Sequence, residues 1–386
     1  MIPEQARPSS PAPIHIVDLF AGPGGLDVAA RWLGVGVDGI EWDANACATR
    51  RAAGLGTEQG DVRKYGPRDF KFKSANVLAG GPPCQTFTVA GSGAGRRALD
   101  QVLAFVKAMA AGEDVSAELA DLDDERTGLV LEPLRWALEA VRADDRKPFE
   151  TVVLEQVPAV LPVWKAVGEA LEGVGYKVDC GILHTEEFGV PQTRRRAILI
   201  ARRDRQPRLP EPTHRRYRKG VPRSAGETRL LPWETMGAAL KRPHPFVVIS
   251  NYGTGGDPKA RGRRTSEEPS ATVTGKISRN RLVSPAGAEL DRFTNFEAGR
   301  LQTFPIDYPW SGADVAQQIG NAIPPRLAAH VLAAALGRDL DEGFFESVLA
   351  SGWGPFSGPE GETPPVSSPG ADSPEQSKAV PAPVAL

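Results

Sequence analysis

Cysteine is scarce in this chain: Cys47, Cys84 and Cys180 are the only three in 386 residues, without metal-ligand spacing or an even count. A disulfide framework and a thiolate-bound metal are therefore excluded, no metal is expected, and any thiol chemistry falls to one residue. Long apolar runs are missing too. No stretch reaches the roughly 18 residues that a membrane span requires, and the opening "MIPEQARPSSPAP" lacks the apolar core of a secretory signal. A soluble, cytoplasmic protein with no membrane partner is expected. No internal repeat is present. Neither sign of charge is in excess, since the formal net charge is −2, and that balance alone argues against a polyanionic partner.

The distribution of charge reverses that argument. Between Arg194 and Arg281 there are 22 Lys and Arg against 7 Asp and Glu, interleaved with Tyr217, Trp233, Phe246 and Tyr252. A net charge of +15 in under a quarter of the chain is the pattern of a nucleic-acid-binding face.

The length exceeds one ordinary core, so a large domain with a smaller one is expected. "IHIVDLF" (14–20), "VGVDGIEWD", "ANVLAGG" (75–81), "ETVVLEQV" (150–157) and "RRAILIARR" (195–203) read as buried strands. "LDVAARWLG" and "ANACATRRAA" carry helical periodicity between them. Such alternation builds an α/β, doubly wound, Rossmann-like sheet whose ligands bind at the carboxyl ends of the strands. From 204 to 290 the pattern breaks into Pro-, Gly- and Arg-rich pieces, a smaller irregular domain; helical periodicity returns over 291–350, back in the first domain. That leaves 14–203 as the main domain, 1–13 as a flexible N-terminus and 351–386 as a Pro-, Ser- and Gly-rich disordered tail.

After the first strand, "AGPGG" with Gly22, Gly24 and Gly25 makes a tight turn into a helix, but it is not the G-x-G-x-x-G of dinucleotide sites. Glu41, about twenty residues on at the end of the second strand, suits the two hydroxyls of a ribose, and Asp61 suits an adenine amine. The pattern reads as an adenosine site, open to a diphosphate or to the amino-acid end of S-adenosylmethionine.

Further motifs bear on that choice. "GGPPCQTF" around Cys84 resembles the Pro-Cys-Gln loop of the DNA (cytosine-5) methyltransferases. Five more stretches match that family in its usual order: "DLFAGPGG", "EQV" (155–157), "PQTRRRAILI", "RFTNFEAGRLQTFP" (292–305) and "QQIGNAIPP" (317–325). The matches run from Asp18 to about Leu336 and leave out the termini and most of 204–290.

The resemblance implies an enzyme that methylates C5 of cytosine in duplex DNA, with S-adenosyl-L-methionine as cofactor and 204–290 as the target-recognition domain. C5 is a poor nucleophile until a thiolate adds to C6 and turns the ring into an enamine; Cys84 would be that nucleophile. Glu155 would hold N3 and the exocyclic amine, and Arg196 would hold O2. Arg194 would position the loop or the DNA backbone, while Arg195 falls on an unmatched surface position. Phe20 would lie against the adenine or the sulfonium, Glu41 would hold the ribose, Trp42 would stack on adenine and Asp61 would take its amine. Asn321 and Ala322 would close the site. Gln85, Arg261, Arg263 and Arg264 would contact DNA. The target cytosine must be flipped out of the helix, so prolines would hold Cys84 rigidly while the loose "VAGSGAGRR" closes over the base.

The chain departs from the family at Gln156, where Asn is usual, and at 96–123, which is longer than expected. Gln156 would make the Asn's bonds from the Glu155 strand to the Pro-Cys loop. A tRNA methyltransferase on the same core lacks its Cys-Phe-Thr here, a silent relative is at odds with the presence of Cys84, Glu155 and Arg196, and a nicotinamide oxidoreductase lacks its fingerprint. A monomer, with a cognate restriction endonuclease as a possible partner, completes the expectation.

Overall fold

The computed structural model describes residues 13–83, 93–120, 122, 125–251 and 261–354. Seven strands form the main sheet: β1 (His15–Leu19), β2 (Gly36–Glu41), β3 (Gly56–Gln59), β4 (Val77–Gly80), β5 (Thr151–Gln156), β6 (Lys177–His184) and β7 (Arg195–Arg202), in the order β3-β2-β1-β4-β5-β7-β6. Neighbours pair in parallel except around β7, which runs antiparallel to both β5 and β6. The five strands expected from apolar runs are all present. β3 and β6, which were not expected, lie at the two edges, where "GTEQ" and "KVDCGILH" need not be apolar because the edge is only partly covered.

The order of the strands reverses between β1 and β4, so a crevice opens at their carboxyl ends. One face of the sheet packs against a core built on Trp136, Phe149 and Trp164. The other face packs against α1 (Gly25–Trp32) and the helix Pro325–Leu336. α2 (Ala44–Ala52) starts where the Asp43 carboxylate accepts the Asn45 and Ala46 N–H groups, both at 2.8 Å.

The unexplained length near 96–123 is a helix, Gly93–Ala111, lying along the helix Leu161–Gly173. It sinks Val102, Val106 and Met109 into the first core, so it is a packed element. Gly93–Arg97, the second half of the run expected to be loose, belongs to this helix; the first half lies outside the described residues.

The irregular region has order of its own. β8 (Val247–Ile249), β9 (Arg263–Thr265), β10 (Arg281–Val283) and β11 (Glu289–Leu290) form an antiparallel sheet in the order β11-β10-β8-β9. So small a sheet cannot bury its own inner face. It borrows the helices Asn295–Leu301 and Val315–Asn321: Phe293, Ala298, Leu301 and Ile319 share a core with Phe246, Val248 and Leu282. The boundary expected at 290 therefore cuts through one core, and the uninterrupted return to the main sheet begins at Pro325. The boundary at 351 also moves, because Trp353 packs on Tyr308 and its Nε1 donates to the Ala53 carbonyl at 3.1 Å.

Under the glycine loop, Arg50 and Asp27 form a fully buried ion pair with Nη1–Oδ2 and Nη2–Oδ1 distances of 2.8 and 2.7 Å. Arg50 also donates to the carbonyl of Gly56 and to the Thr57 hydroxyl, which ties α2 to β3 as well as to α1. Replacing Asp27 by alanine would strand a buried guanidinium, and a loss of about 3–5 kcal/mol is expected in urea unfolding. A loss below about 1 kcal/mol would show that the pair is not structurally important.

Candidate active site

The crevice is a cavity of about 670 Å³ that brings together residues from 18 to 332. Its cofactor-side wall is the turn after β1. Phe20, Gly22 and Gly24 all have positive φ, at 63°, 56° and 102°. Gly22 donates its N–H to Glu41 Oε2 at 2.7 Å, and Asp43 donates to Oε1 at 2.7 Å, so Glu41 is oriented by backbone donors before any ligand arrives. Burial pushes its pKa up, opposed by those hydrogen bonds. Trp42 lines the cavity while 68 % exposed, which leaves an indole surface open. Gly25 begins α1, where an added Cβ would overlap the Ile323 carbonyl oxygen. Asn321 and Ala322 stand on the far wall, and Gln317 donates to Asn321 Oδ1 at 2.7 Å.

Asp61 lines the same cavity but already has a partner. Its carboxylate takes Arg63 Nε at 3.0 Å and Nη2 at 2.7 Å, and it caps the short helix that follows by accepting the Arg63 N–H. The Arg63 hydrogen bond holds the carboxyl below its usual range, against the smaller upward push of burial. Any adenine amine would therefore share Asp61 with Arg63.

On the opposite side, Glu155 and Arg196 form an ion pair at the ends of β5 and β7, both largely buried. Burial raises the Glu155 pKa and Arg196 lowers it again. Pro83 and Gly81 border the same space. Gln156 Nε2 donates to the Pro82 carbonyl while its Oε1 accepts the Val157 N–H. The longer amide thus spans from β5 to the Pro-Pro loop. Cys84 and Gln85 lie outside the described residues. The two described cysteines are poor nucleophiles, because burial drives the Cys47 thiol to about 11 and raises that of Cys180.

Arg264, expected at the DNA, bonds within the protein instead, and Arg194, expected to position either the loop or the DNA backbone, has protein partners. Arg194 is buried and donates to the carbonyls of Val273 at 3.1 Å and Gly320 at 2.9 Å, so it braces the small domain against the cavity wall. Arg264 donates to Pro269 O and Thr193 Oγ1 and lies 4.6 Å from the Tyr217 ring centroid. Arg263 on β9 is exposed and Arg261 half-buried. The reasoning from sequence missed Asp18, Arg63, Arg126 and Gln317, all of which line the cavity. Asp18 lies in "DLFAGPGG" and Gln317 opens "QQIGNAIPP", whereas Arg63 carries no signal in spacing.

The α/β sheet places a two-sided crevice at the carboxyl ends of its strands, with a buried carboxylate–guanidinium pair facing the glycine turn across it. The family model for C-5 cytosine-specific DNA methylase matches residues 14–107 and 138–336, and the chain belongs to that family; it is a DNA (cytosine-5) methyltransferase. It is similar to the Type II methyltransferase M1.HphI of Haemophilus parahaemolyticus, 29% identical over 84% of this chain and 87% of that protein. It is also similar to M.NgoFVII of Neisseria gonorrhoeae, 28% identical over 81% and 83%. In fold it resembles the Dnmt2 methyltransferase of S. pombe, with a TM-score of 0.55 at 17% identity over 84% of this chain and 98% of that one. No helix among the described residues is long and apolar enough to cross a membrane.

A glycine-to-alanine change in a helix ordinarily stabilises by about 0.5–1 kcal/mol. At Gly173, where a Cβ meets nothing within 4 Å, a small rise in melting temperature is expected. At Gly25 the overlap with Ile323 reverses the sign, and a drop of several degrees is expected in the same scan. Equal responses at the two sites would show that α1 has slack against the 317–325 loop.

Proposed function

We propose that this methyltransferase uses S-adenosyl-L-methionine to methylate C5 of a cytosine flipped out of duplex DNA, through a covalent bond between Cys84 and C6. The observation that carries the proposal is the shared cavity: the buried Glu155–Arg196 pair, Pro83 next to Cys84, and the strained glycine turn all border one space. The donor set suits the cofactor, with the N-terminus of α1 for the amino-acid carboxylate, Glu41 for the ribose and the Trp42 face for adenine. When bound, S-adenosylmethionine supplies an electrophilic methyl group.

The protein supplies the rest. The Cys84 thiolate adds to C6, and the electron pair displaced from the C5–C6 bond moves toward N3 and O2. Glu155, whose pKa burial raises and Arg196 lowers, would pass a proton to N3 as negative charge builds there, while Arg196 stabilises the charge on O2. C5 would then take the methyl group, with S-adenosylhomocysteine as the leaving group. A base removes the C5 proton, the C6–S bond breaks, and Glu155 recovers the proton from N3. Arg194 and Gln156 hold the two sides of the pocket in place without touching the base.

Incubation with labelled S-adenosylmethionine and either duplex DNA or tRNA is expected to label DNA alone, at C5 of cytosine. Cys84→Ala should abolish the labelling and the trapping of DNA carrying 5-fluorocytosine. Glu155→Gln and Arg196→Ala should each slow single-turnover methylation by roughly 100-fold or more. Labelled tRNA, or a 5-fluorocytosine adduct mapped to Cys47 or Cys180, would overturn the proposal.

A cognate restriction endonuclease of the same target is the partner that fits this reading, because relatives are named Type II methyltransferases. DNA from cells expressing it, mapped by bisulfite sequencing, should show one methylated sequence. Arg261 and Arg263 contact phosphates in this reading. Neutralising both should flatten the slope of log K against log salt by about 1.8, at about 0.9 per phosphate contact, without loss of melting temperature. Arg264→Ala should instead lower the melting temperature, because it removes hydrogen bonds inside the small domain. An unchanged slope in the double variant would place Arg261 and Arg263 away from the duplex.

A further inference from the structure

The cofactor turn is held from a distance. Tyr308 is fully buried, and its hydroxyl donates to the carbonyl of Pro23 at 2.5 Å, across 285 residues of sequence. Pro23 lies between Gly22 and Gly24, both at positive φ, and Phe20 just before them adopts a left-handed conformation that a bulky side chain rarely takes. Such a backbone persists only where its surroundings over-determine it. The Gly22 bond to Glu41 is one restraint, and Tyr308 is the second, on the next residue. The fit is close: a Cβ on Gly24 would come within 2.9 Å of the Tyr308 oxygen. A buried phenol needs an acceptor, and the one used here is the peptide that sets the entry to α1.

Tyr308 is itself enclosed by the end of the described chain. Trp353 lies edge-on against it, with ring centroids 5.1 Å apart, and the Arg31 guanidinium lies over the Trp353 ring at 4.2 Å. The Trp353 N–H donates to Asp307 Oδ1 at 2.6 Å, which anchors this segment next to Tyr308.

We infer that Tyr308 is a positioning residue for the cofactor turn, with Trp353 as the clamp that keeps it seated. The inference rests on the reading of the cavity as an S-adenosylmethionine site. Without the hydroxyl, the Pro23 carbonyl is buried without a donor and the turn is free to relax. The pocket then has to be reassembled at each binding event, and affinity falls while chemistry in the filled site does not.

The experiment compares the full-length wild type with Tyr308→Phe and Trp353→Ala. It measures equilibrium dialysis of labelled S-adenosylmethionine, single-turnover methylation at saturating cofactor, and melting temperature with and without cofactor. Tyr308→Phe should weaken cofactor binding roughly tenfold, the scale of one buried hydrogen bond, with the saturated rate within about twofold of wild type. Trp353→Ala should weaken binding roughly threefold with the same unchanged rate. A Tyr308→Phe enzyme that binds cofactor as wild type does, even with a lowered melting temperature, makes Tyr308 merely structural and overturns the inference. So does a lowered rate at saturation with unchanged affinity. A wild type that binds no S-adenosylmethionine is a different result and removes the cofactor reading itself.

Discussion

The buried pair of Arg50 and Asp27 sets the geometry on which the cofactor half of the molecule depends. A guanidinium removed from water needs a carboxylate and further acceptors, and Arg50 finds them on α1, on the glycine turn and on β3. Meeting that demand brings four segments together beneath one turn. It leaves Glu41 and Trp42, on the strand end between those segments, facing the cavity. The left-handed residues of the turn are tolerable because so many bonds converge there.

A second network joins the halves of the active site. Gln192, fully buried, accepts the Val273 N–H at 2.8 Å and donates to Gln302 Oε1 at 2.8 Å; Gln302 in turn donates to the Ile319 carbonyl at 2.6 Å. One amide chain thus links the β7 approach, the small sheet and the helices it borrows. Arg194 adds two bonds across the same seam. The small domain is consequently docked by the residues that precede Arg196, so the placement of Arg196 and of the small sheet are mechanically one matter. Gln156 does the same for the Pro-Pro loop on the other side of β5.

How much of this was legible depended on whether the signal was local. β1, β4, β5 and β7 announced themselves as apolar runs because they are largely buried on both faces, and β2 by its place between two helical stretches; β3 and β6 did not, because edge strands carry polar residues. Glu41, Trp42, Glu155 and Arg196 could be placed from strand ends and motif spacing, since residues at the carboxyl ends of a doubly wound sheet must face one crevice. The partners of Arg264 could not be read, and for Arg194 the loop and the DNA backbone stayed open as alternatives. A run of arginines reads as a charged face, and nothing in "TRRR" or "RGRR" says which side chain turns inward to satisfy carbonyls from another domain. The helix Gly93–Ala111 was obscured by its glycine-rich start, although its apolar spacing lies in plain view further along.

The sequence by itself determined the family and the sheet class: the residue types, their order along the chain and the concentration of basic residues over 194–281 all follow from short-range patterns. Only the tertiary structure decided who partners whom. Tyr308 meets Pro23, the helices 295–301 and 315–321 complete the small sheet, and Trp353 belongs to the folded unit. These pairings join residues far apart in sequence, and burial selects them, because each polar group taken from water must find its acceptor wherever the fold has brought one.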